Sequence, residues 1–409
     1  MIADDALHPI HRLWRRLPAA PRRRMLTAAA GLLAPRPDRH PPPSAWGVAV
    51  AGELSRPSGL GEVARLMLAG LDRLGVDTCQ IDLTALPGRN PDTPQESDHC
   101  PPAGAPLLLH VNAPLLPLAL LRLPRRLLRR RRVIGYWAWE LPVVPESWRA
   151  GLPFVHEVWT LSPFSAAALT TLRPAGVRCV PPPLAAFPPV PAPLDRAAFG
   201  LPAEAVVVLT AFSLASSFAR KNPLAAIAAH RAAFGDRADR ILLLKIGEPT
   251  HFADDFRRIR DAVASAPNIR IETRSLSSAD LHALMRSADI VLSLHRSEGF
   301  GLVPAEAMLL ARPVVATGWS GNMSFMDQDC AALVGYRLIP ARDPRGVFEA
   351  PGAVWAEPDI DHAAAWLRRL ADDPALRARL GAAGQAMAAS RLGLEPLRAA
   401  VIALGLGVA

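Results

Sequence analysis

The chain has 409 residues, half of them hydrophobic and a fifth charged. That composition excludes a disordered polypeptide, and the length exceeds one ordinary core, suggesting two domains of roughly 150–200 residues each. The formal net charge of +9 calls for an anionic partner, whether nucleic acid, membrane surface or phosphate-bearing substrate, without choosing among them.

Residues 1–44 form an Arg- and Pro-rich leader. Its basic start and short apolar run lack the ordered regions of a signal peptide. The first domain, residues 45–185, opens with WGVAVAGEL, a strand-like apolar run, and SRPSGLGEVARLMLAGLDRLG, a glycine turn entering an amphipathic helix. VDTCQIDL, PLLLHVNA, RRVIGYWAW and HEVWTLS read as further buried strands separated by helical stretches, an alternation of βαβ type. The most apolar window, Pro106 to Leu123, is broken by His110, Asn112 and prolines, so no bilayer span is expected. Pro181 to Pro202 holds eight prolines in 22 residues, which excludes a central strand or helix interior and places a linker at 186–202.

The pattern restarts in a second domain, residues 203–385. AVVVLTAFSL, RILLLKIG, NIRIETRS, ADIVLSLH and RPVVATG are strand-like, with helices at NPLAAIAAHRAAFG, DDFRRIRDAVASA, SADLHALMRSA and VPAEAMLLA. Residues 386–409 form a helical segment that can pack back on the first domain. Two doubly wound domains facing a cleft would take a ligand at the carboxyl ends of their strands. Cys79, Cys100, Cys179 and Cys330 show no CxxC pair and no His at metal-ligand spacing, so reduced thiols in a cytoplasmic protein are expected and a structural zinc site is not.

The most specific segment is HRSEGFGLVPAEAMLLARPVVATGWSGN. Pro304 suits the first turn of a helix beginning about Val303. Gly299 and Gly301 precede it and let the backbone approach a ligand whose phosphates meet the free amides of the helix start. Glu306 is placed in the first turn and Glu298 on the loop at the strand end. Carboxylates repel phosphate, but they accept hydrogen bonds from sugar hydroxyls. A second signal is FARKNP. Lys221 and Lys245 are the chain's two lysines among 46 basic residues, so a retained ammonium is informative.

Together these segments resemble the E-x7-E signature of the retaining GT-B glycosyltransferases of family 4, the glycosyl transferase group 1 family. GLGEVAR is similar to that family's N-terminal glycine loop, RKNP to its donor-phosphate motif, and GYWAWELPVVPESW and EVWTLSPFS to a bacterial polysaccharide-type branch. WAEPDIDHAAAWLRRLADDPALRARLGAAG also fits, and the resemblance runs from about Trp46 to the C-terminus. It implies a GT-B fold, α/β, with two Rossmann-like domains facing a cleft. It further implies a hexosyltransferase that moves sugar from a nucleotide-diphosphate sugar to a glycan or lipid-linked acceptor in polysaccharide or cell-surface glycan synthesis.

By the same resemblance Glu306 binds the ribose, Glu298 the sugar hydroxyls, and the amides of Phe300, Gly301 and Leu302 the diphosphate. Lys221 neutralises the leaving group as a compact point charge. Gly59, Gly61 and Lys245 join the donor-side candidates. No cofactor is implied, and no metal, because Lys221 and helix amides carry the leaving charge. Asp327-Gln328-Asp329 spells D-x-D, but it follows the donor segment instead of a strand in a single-domain enzyme, which argues against a metal role.

The sequence departs from the family twice. Where many members carry an Arg several residues before the Lys, this chain has Leu214-Ala215-Ser216, and neighbouring Arg220 is the candidate substitute. Where many end an N-terminal strand with a sugar-contacting His, it has Trp137-Ala138-Trp139-Glu140. Glu140 and Trp139 are candidates for that role, against the plainer reading of core aromatics and a helix cap. His110 and Asn112 are acceptor-side candidates, with Trp137, although a His at a strand end is commonly structural.

Leu115 to Arg132 pairs a leucine-rich part with seven arginines, either a basic amphipathic surface for anionic lipid or acceptor pyrophosphate, or an ordinary solvated helix. Two competing functions remain. A GT-B epimerase or hydrolase is disfavoured by intact RKNP and E-x7-E. A nucleic-acid binder lacks a recognised motif, and aromatics at 6% offer few stacking platforms.

Overall fold

The computed structural model describes residues 25, 29–56, 58–84 and 104–408. Most of the expected leader, residues 1–24 and 26–28, lies outside the described residues, as does Cys100. Cys79, Cys179 and Cys330 are free thiols. Two units interleave along the described chain. One holds the residues up to Trp137, Glu146–Trp159 and those from Val401, and the other holds Ala138–Pro145 and Thr160–Ala400.

The first sheet has strands β1 (Val48–Gly52), β2 (Thr78–Asp82), β3 (Leu107–Leu109), β4 (Val133–Tyr136), β5 (Glu157–Thr160) and β6 (Val177–Cys179), in the order β2-β1-β3-β4-β5-β6. Each residue of β1, β3 and β4 is buried, so these strands read as continuous apolar runs, as in a parallel sheet covered on both faces. Helix α1 (Gly59–Arg73) links β1 to β2, its start fixed by Ser58, whose hydroxyl accepts the Gly61 amide. Helix α2 (Leu116–Leu120) follows β3, and α3 (Pro163–Thr170) follows β5.

The stretch Leu115 to Arg132 is not one amphipathic helix. α2 ends at Leu120, and a 3-10 turn spans Arg125–Leu127. Leu116, Leu120, Leu123, Leu127 and Leu128 are buried, while Leu115, Leu121 and the arginines at 125, 126, 129 and 130 are exposed. The prolines at 117 and 124 interrupt the helical period. Among the described residues no helix is long and apolar enough to cross a membrane.

The second sheet comprises β7 (Val206–Ser213), β8 (Arg240–Gly247), β9 (Ile269–Glu272), β10 (Ile290–Ser293), β11 (Val314–Thr317) and β12 (Ala332–Val334), ordered β12-β11-β10-β7-β8-β9 with parallel pairing. Counted from β7, this is the strand order 3-2-1-4-5-6 of a dinucleotide-binding fold, with its topological switch between β7 and β10. The first sheet, counted the same way, switches between β1 and β3.

The crossovers are α4 (Phe218–Lys221) with α5 (Pro223–Phe234), α6 (Ala253–Val263), α7 (Ser278–Ser287) and α8 (Leu302–Leu309). A hairpin, β13 (Tyr336–Pro340) and β14 (Val354–Pro358), pairs antiparallel outside both sheets. Helices α9 (Ile360–Asp372), α10 (Pro374–Arg391) and α11 (Glu395–Ala403) close the chain. The alternation of apolar runs and helices anticipates the βαβ units, but the hairpin went unforeseen because exposed YRLIP, with its proline, lacks a buried face. The Pro-rich 181–202 stretch forms only 3-10 turns, at Leu184–Ala186 and Ala197–Phe199.

Candidate active site

At the switch point of the second sheet, the chain leaving β7 and β10 carries the charged residues. After β7 comes a 3-10 turn at Leu214–Ser216 and then Ser217, at φ 90° and ψ 113°, a conformation rare for a residue with a side chain. Such a residue persists only where its surroundings impose it. Its hydroxyl accepts the Arg220 amide at 3.3 Å and donates to Asp343 at 3.3 Å. Lys221 ends α4, and Asn222, left-handed at φ 53°, turns the chain into α5.

Four ionisable side chains converge there. Lys221 Nζ lies 2.5 Å from Glu298 Oε1, Arg220 Nη1 lies 3.2 Å from Glu298 Oε2, and Arg220 Nε lies 2.5 Å from Glu140 Oε2. Arg220 is 2% exposed and Glu298 5%, a burial that charges tolerate only when paired. Arg220 also donates to the carbonyls of Ser297 (2.8 Å) and Ser216 (2.9 Å), and its guanidinium carbon lies 5.2 Å from the Phe348 ring centre. Although it does not occupy the family's usual Arg position, its side chain reaches the same carboxylate as Lys221.

Burial acts most strongly on Glu140. Arg220 opposes it, the Glu298 charge adds to it, and the Glu140 pKa is pushed up to about 7. Burial also works against the charge on Glu298, but Lys221 and Arg220 outweigh it and hold that pKa at about 2. Burial and the Glu298 charge thus favour a proton on Glu140, and Arg220 opposes it. With Glu140 neutral, the two cations and the single anion Glu298 leave one net positive charge, which suits an anionic ligand.

Beside this cluster, α8 begins at Leu302, with Gly301 left-handed at φ 99° as its N-cap. The helix starts one residue earlier than Pro304 suggested. Glu306 consequently lies beyond the first turn, 4.0 Å from His282 of α7. Among the described residues, none accepts the amide hydrogens of Phe300, Gly301 or Leu302. Three amides at a helix start form an anion cradle. The Phe300 ring itself is core, 5.0 Å from Phe325. Gly299 is held by Ser162, whose hydroxyl donates to its carbonyl at 2.6 Å, and a Cβ at Gly299 would lie 3.0 Å from the Trp139 carbonyl oxygen.

The other candidates are placed elsewhere. Lys245 is on β8, in register with Glu272 of β9, and burial lowers its pKa although Glu272 opposes the shift. Trp139 donates from its indole to the Val143 carbonyl (3.0 Å) and packs 5.6 Å from Phe348. In the first unit, Gly59 opens α1, and a Cβ at Gly61 would meet the Glu53 carbonyl oxygen at 2.5 Å, so that glycine is required for close approach. His110, at the end of β3, is 1% exposed, and its ring is 4.5 Å from Tyr136 in a stacked pair. Among the described residues neither His110 ring nitrogen has a hydrogen-bond partner, and burial depresses its pKa to about 3. Asn112 precedes the 3-10 turn Ala113–Leu115, and Trp137 packs edge-on against Trp148 at 5.9 Å. Asp327 accepts the Asp329 amide within a tight turn (3.0 Å).

A family model described as "Family 4 Glycosyltransferase in conflict systems" matches residues 182–392, just over half the chain. The chain belongs to this family. It is similar to a D-inositol 3-phosphate glycosyltransferase of Kineococcus radiotolerans, 32% identical over 226 residues, covering 51% of this chain and 47% of that one. A protein of the same name from Saccharomonospora viridis is 31% identical over 192 residues, covering 46% and 44%. The chain thus spans a little under half the length of these curated relatives. In fold it is similar to sucrose-phosphate synthase of Thermosynechococcus elongatus, with a TM-score of 0.64 at 19% identity, covering 88% and 98%. Anabaena HepE in complex with UDP and glucose gives 0.60 at 14%, covering 88% and 100%. These are GT-B glycosyltransferase structures, and the two parallel six-stranded sheets match them.

Several residues at this candidate site carry no signal in the motifs alone. Gly321 donates its amide to the Glu298 carbonyl (2.9 Å), and a Cβ there would fall 2.1 Å from the Gly299 carbonyl oxygen. His295 is buried, with its ring nitrogens 3.0 Å from Ser293 and 3.1 Å from Asn322; burial lowers its pKa, and the Glu298 charge opposes that shift. Phe348 and Asp343 arrive from the loop of the β13–β14 hairpin, more than 120 residues beyond Arg220. The GWSGN run next to the motif was the one available hint of Gly321. Nothing in sequence spacing points to the hairpin residues.

Proposed function

We propose that this chain transfers a sugar from a nucleotide-diphosphate sugar to an acceptor hydroxyl with retention of anomeric configuration. The observation that carries the reading is the convergence of Lys221, Arg220 and Glu298 at the β7/β10 switch point, beside the unclaimed amides of α8. Cations and amides aimed at one place stabilise the charge that develops on a departing diphosphate. Glu298 accepts hydrogen bonds from the donor sugar and Glu306 from the ribose, roles that suit carboxylates and not phosphate. A leaving phosphate oxygen takes the acceptor proton on the face from which it departs. Under this reading the positive charge comes from the chain, so the reaction proceeds in EDTA.

HepE is solved with UDP and glucose, which makes UDP-glucose the first donor to try. The curated relatives are named for D-inositol 3-phosphate, the first small acceptor to try. The acceptor class we favour is a glycan or lipid-linked sugar in polysaccharide or cell-surface glycan synthesis, on the cytoplasmic side of a membrane. The exposed arginines at 125, 126, 129 and 130, with exposed Leu115 and Leu121, support contact with anionic lipid. Flotation with anionic vesicles at low salt tests this, and absence of binding removes it.

The main test is proton NMR of the product formed from UDP-glucose and acceptor in EDTA. An α-linked product supports the proposal and a β-linked one refutes retention. Donor cleavage or epimerisation that ignores the acceptor points to the hydrolase or epimerase reading.

A further inference from the structure

Beside α4, a cavity of about 410 Å³ opens between the starts of α5 and α6 and the β13–β14 loop. Its lining includes Phe218, Asn222, Arg258, Arg296, Arg342 and Arg345. Three of the four guanidiniums are matched by carboxylates that also line it. Arg258 (3.6 Å) and Arg345 reach Asp255, and Arg296 reaches Glu357 at 2.6 Å. The remaining carboxylate, Asp343, accepts the amides of Val347 (3.0 Å) and Phe348 (3.1 Å) and the Ser217 hydroxyl.

Arg342 is left as an exposed cation with no ion-pair partner among the described residues. Asn222 adds a second, independent observation. It is 5% exposed, and its side-chain Nδ2 is buried without a hydrogen-bond partner among the described residues, while the residue lines the cavity. A buried amide donor left unsatisfied is costly unless a ligand or water meets it. It lies at the N-terminus of α5, a helix of 12 residues, where an anion is favoured. Leu224, Ala225, Ala228 and Ile360 give the same cavity an apolar wall.

We propose that this cavity is a second anion site, for a small phosphate-bearing molecule whose phosphate meets Arg342 and Asn222 and whose body lies on the apolar wall. Its volume is in the range of ligand-sized pockets. The residues concerned are not those assigned to the donor, so the proposal stands or falls apart from the transferase reading.

The test is calorimetric titration of inorganic phosphate at constant ionic strength into Lys221→Ala protein, which weakens any phosphate binding at the donor site. Saturable binding is expected to persist in that background. It should weaken about tenfold with added Arg342→Ala, the loss of one charge-assisted contact. Asn222→Gly, which keeps the left-handed backbone, should weaken it in the same direction. Arg342 is exposed, so its replacement leaves the fold intact by circular dichroism. No binding in the Lys221→Ala background, or binding that neither added substitution changes, overturns the proposal.

Discussion

At the end of β3 in the first sheet stands His110, buried against Tyr136 with both ring nitrogens unpartnered and its pKa depressed to about 3. At the corresponding switch of the second sheet, two cations and two carboxylates interlock. Both positions are strand ends at a topological switch point, where open α/β sheets bind ligands. Only the second is built to hold charge. Position in the fold therefore marks where a ligand can bind, while the side chains decide what kind. Under the proposed function a diphosphate goes to the second switch, and the buried His110 reads as part of the first unit's core.

The comparison is broken most severely at Arg220. Arg220→Ala removes the cation paired with half-buried Glu140 and one of the two paired with buried Glu298, and a loss of about 3–5 kcal/mol in denaturant unfolding is expected. A loss below about 1 kcal/mol would show that the cluster does not bind the second unit's loops together. Lys221→Ala removes a more accessible cation and leaves Arg220 on Glu298. Its cost falls on turnover, about a hundredfold to a thousandfold in kcat, with a small change in Tm. Unchanged kcat would remove Lys221 from the chemistry. Gly321→Ala forces the 318–321 loop away from the Gly299 carbonyl and so displaces Glu298. Donor KM should rise at least about tenfold, since misplacement of about 1 Å at a site is expensive.

Glu140 sharpens the contrast through pH. Its carboxyl goes from an ordinary 4.5 to about 7 in the fold, so between those values the folded state holds a proton that the unfolded state has lost. Its contribution to stability is then full below pH 4.5 and falls as pH rises to about 7. Glu298 has the opposite sign, because its pKa drops to about 2 and its contribution is lost as pH falls below 4.5. Glu140→Gln should flatten the stability decline between pH 5 and 7, measured as Tm against pH, and leave the acid limb in place. An unaltered slope would mean that Glu140 is charged throughout. The smallest effect is expected at His110: His110→Leu, of similar size and without the unpartnered nitrogens, should change stability by under about 1.5 kcal/mol. A larger loss would reveal a polar role that the buried ring does not display.

The strands and major crossover helices of the second sheet were legible because their apolar runs are long and punctuated by glycine and proline, as in AVVVLTAFSL and RILLLKIG. The order in which those strands pair was not, since periodicity carries no information about neighbours. At the site, Lys221 and Glu298 were legible through RKNP and E-x7-E. Arg220 was visible only as a neighbour of Lys221, and that it turns inward follows from the Ser217 conformation and the tight α4 turn. Glu140 was marked as an acidic residue where the family has histidine, but its raised pKa depends on burial beside Arg220 and Glu298. Phe348 and Asp343 come from a hairpin loop, and only the folded chain brings them to α4. Glu306 was expected in the first turn of a helix beginning about Val303, but the helix starts at Leu302 with Gly301 as its cap, and Glu306 lies beyond that turn.

The most direct test of the charged switch point is a thermal-shift series with UDP, GDP, ADP and dTDP in EDTA, run on the wild type, Lys221→Ala and His110→Leu. One nucleotide is expected to raise the wild-type and His110→Leu midpoints alike and to lose most of its effect in Lys221→Ala. A shift that survives in Lys221→Ala and disappears in His110→Leu would place the anion site at the first sheet and contradict the account.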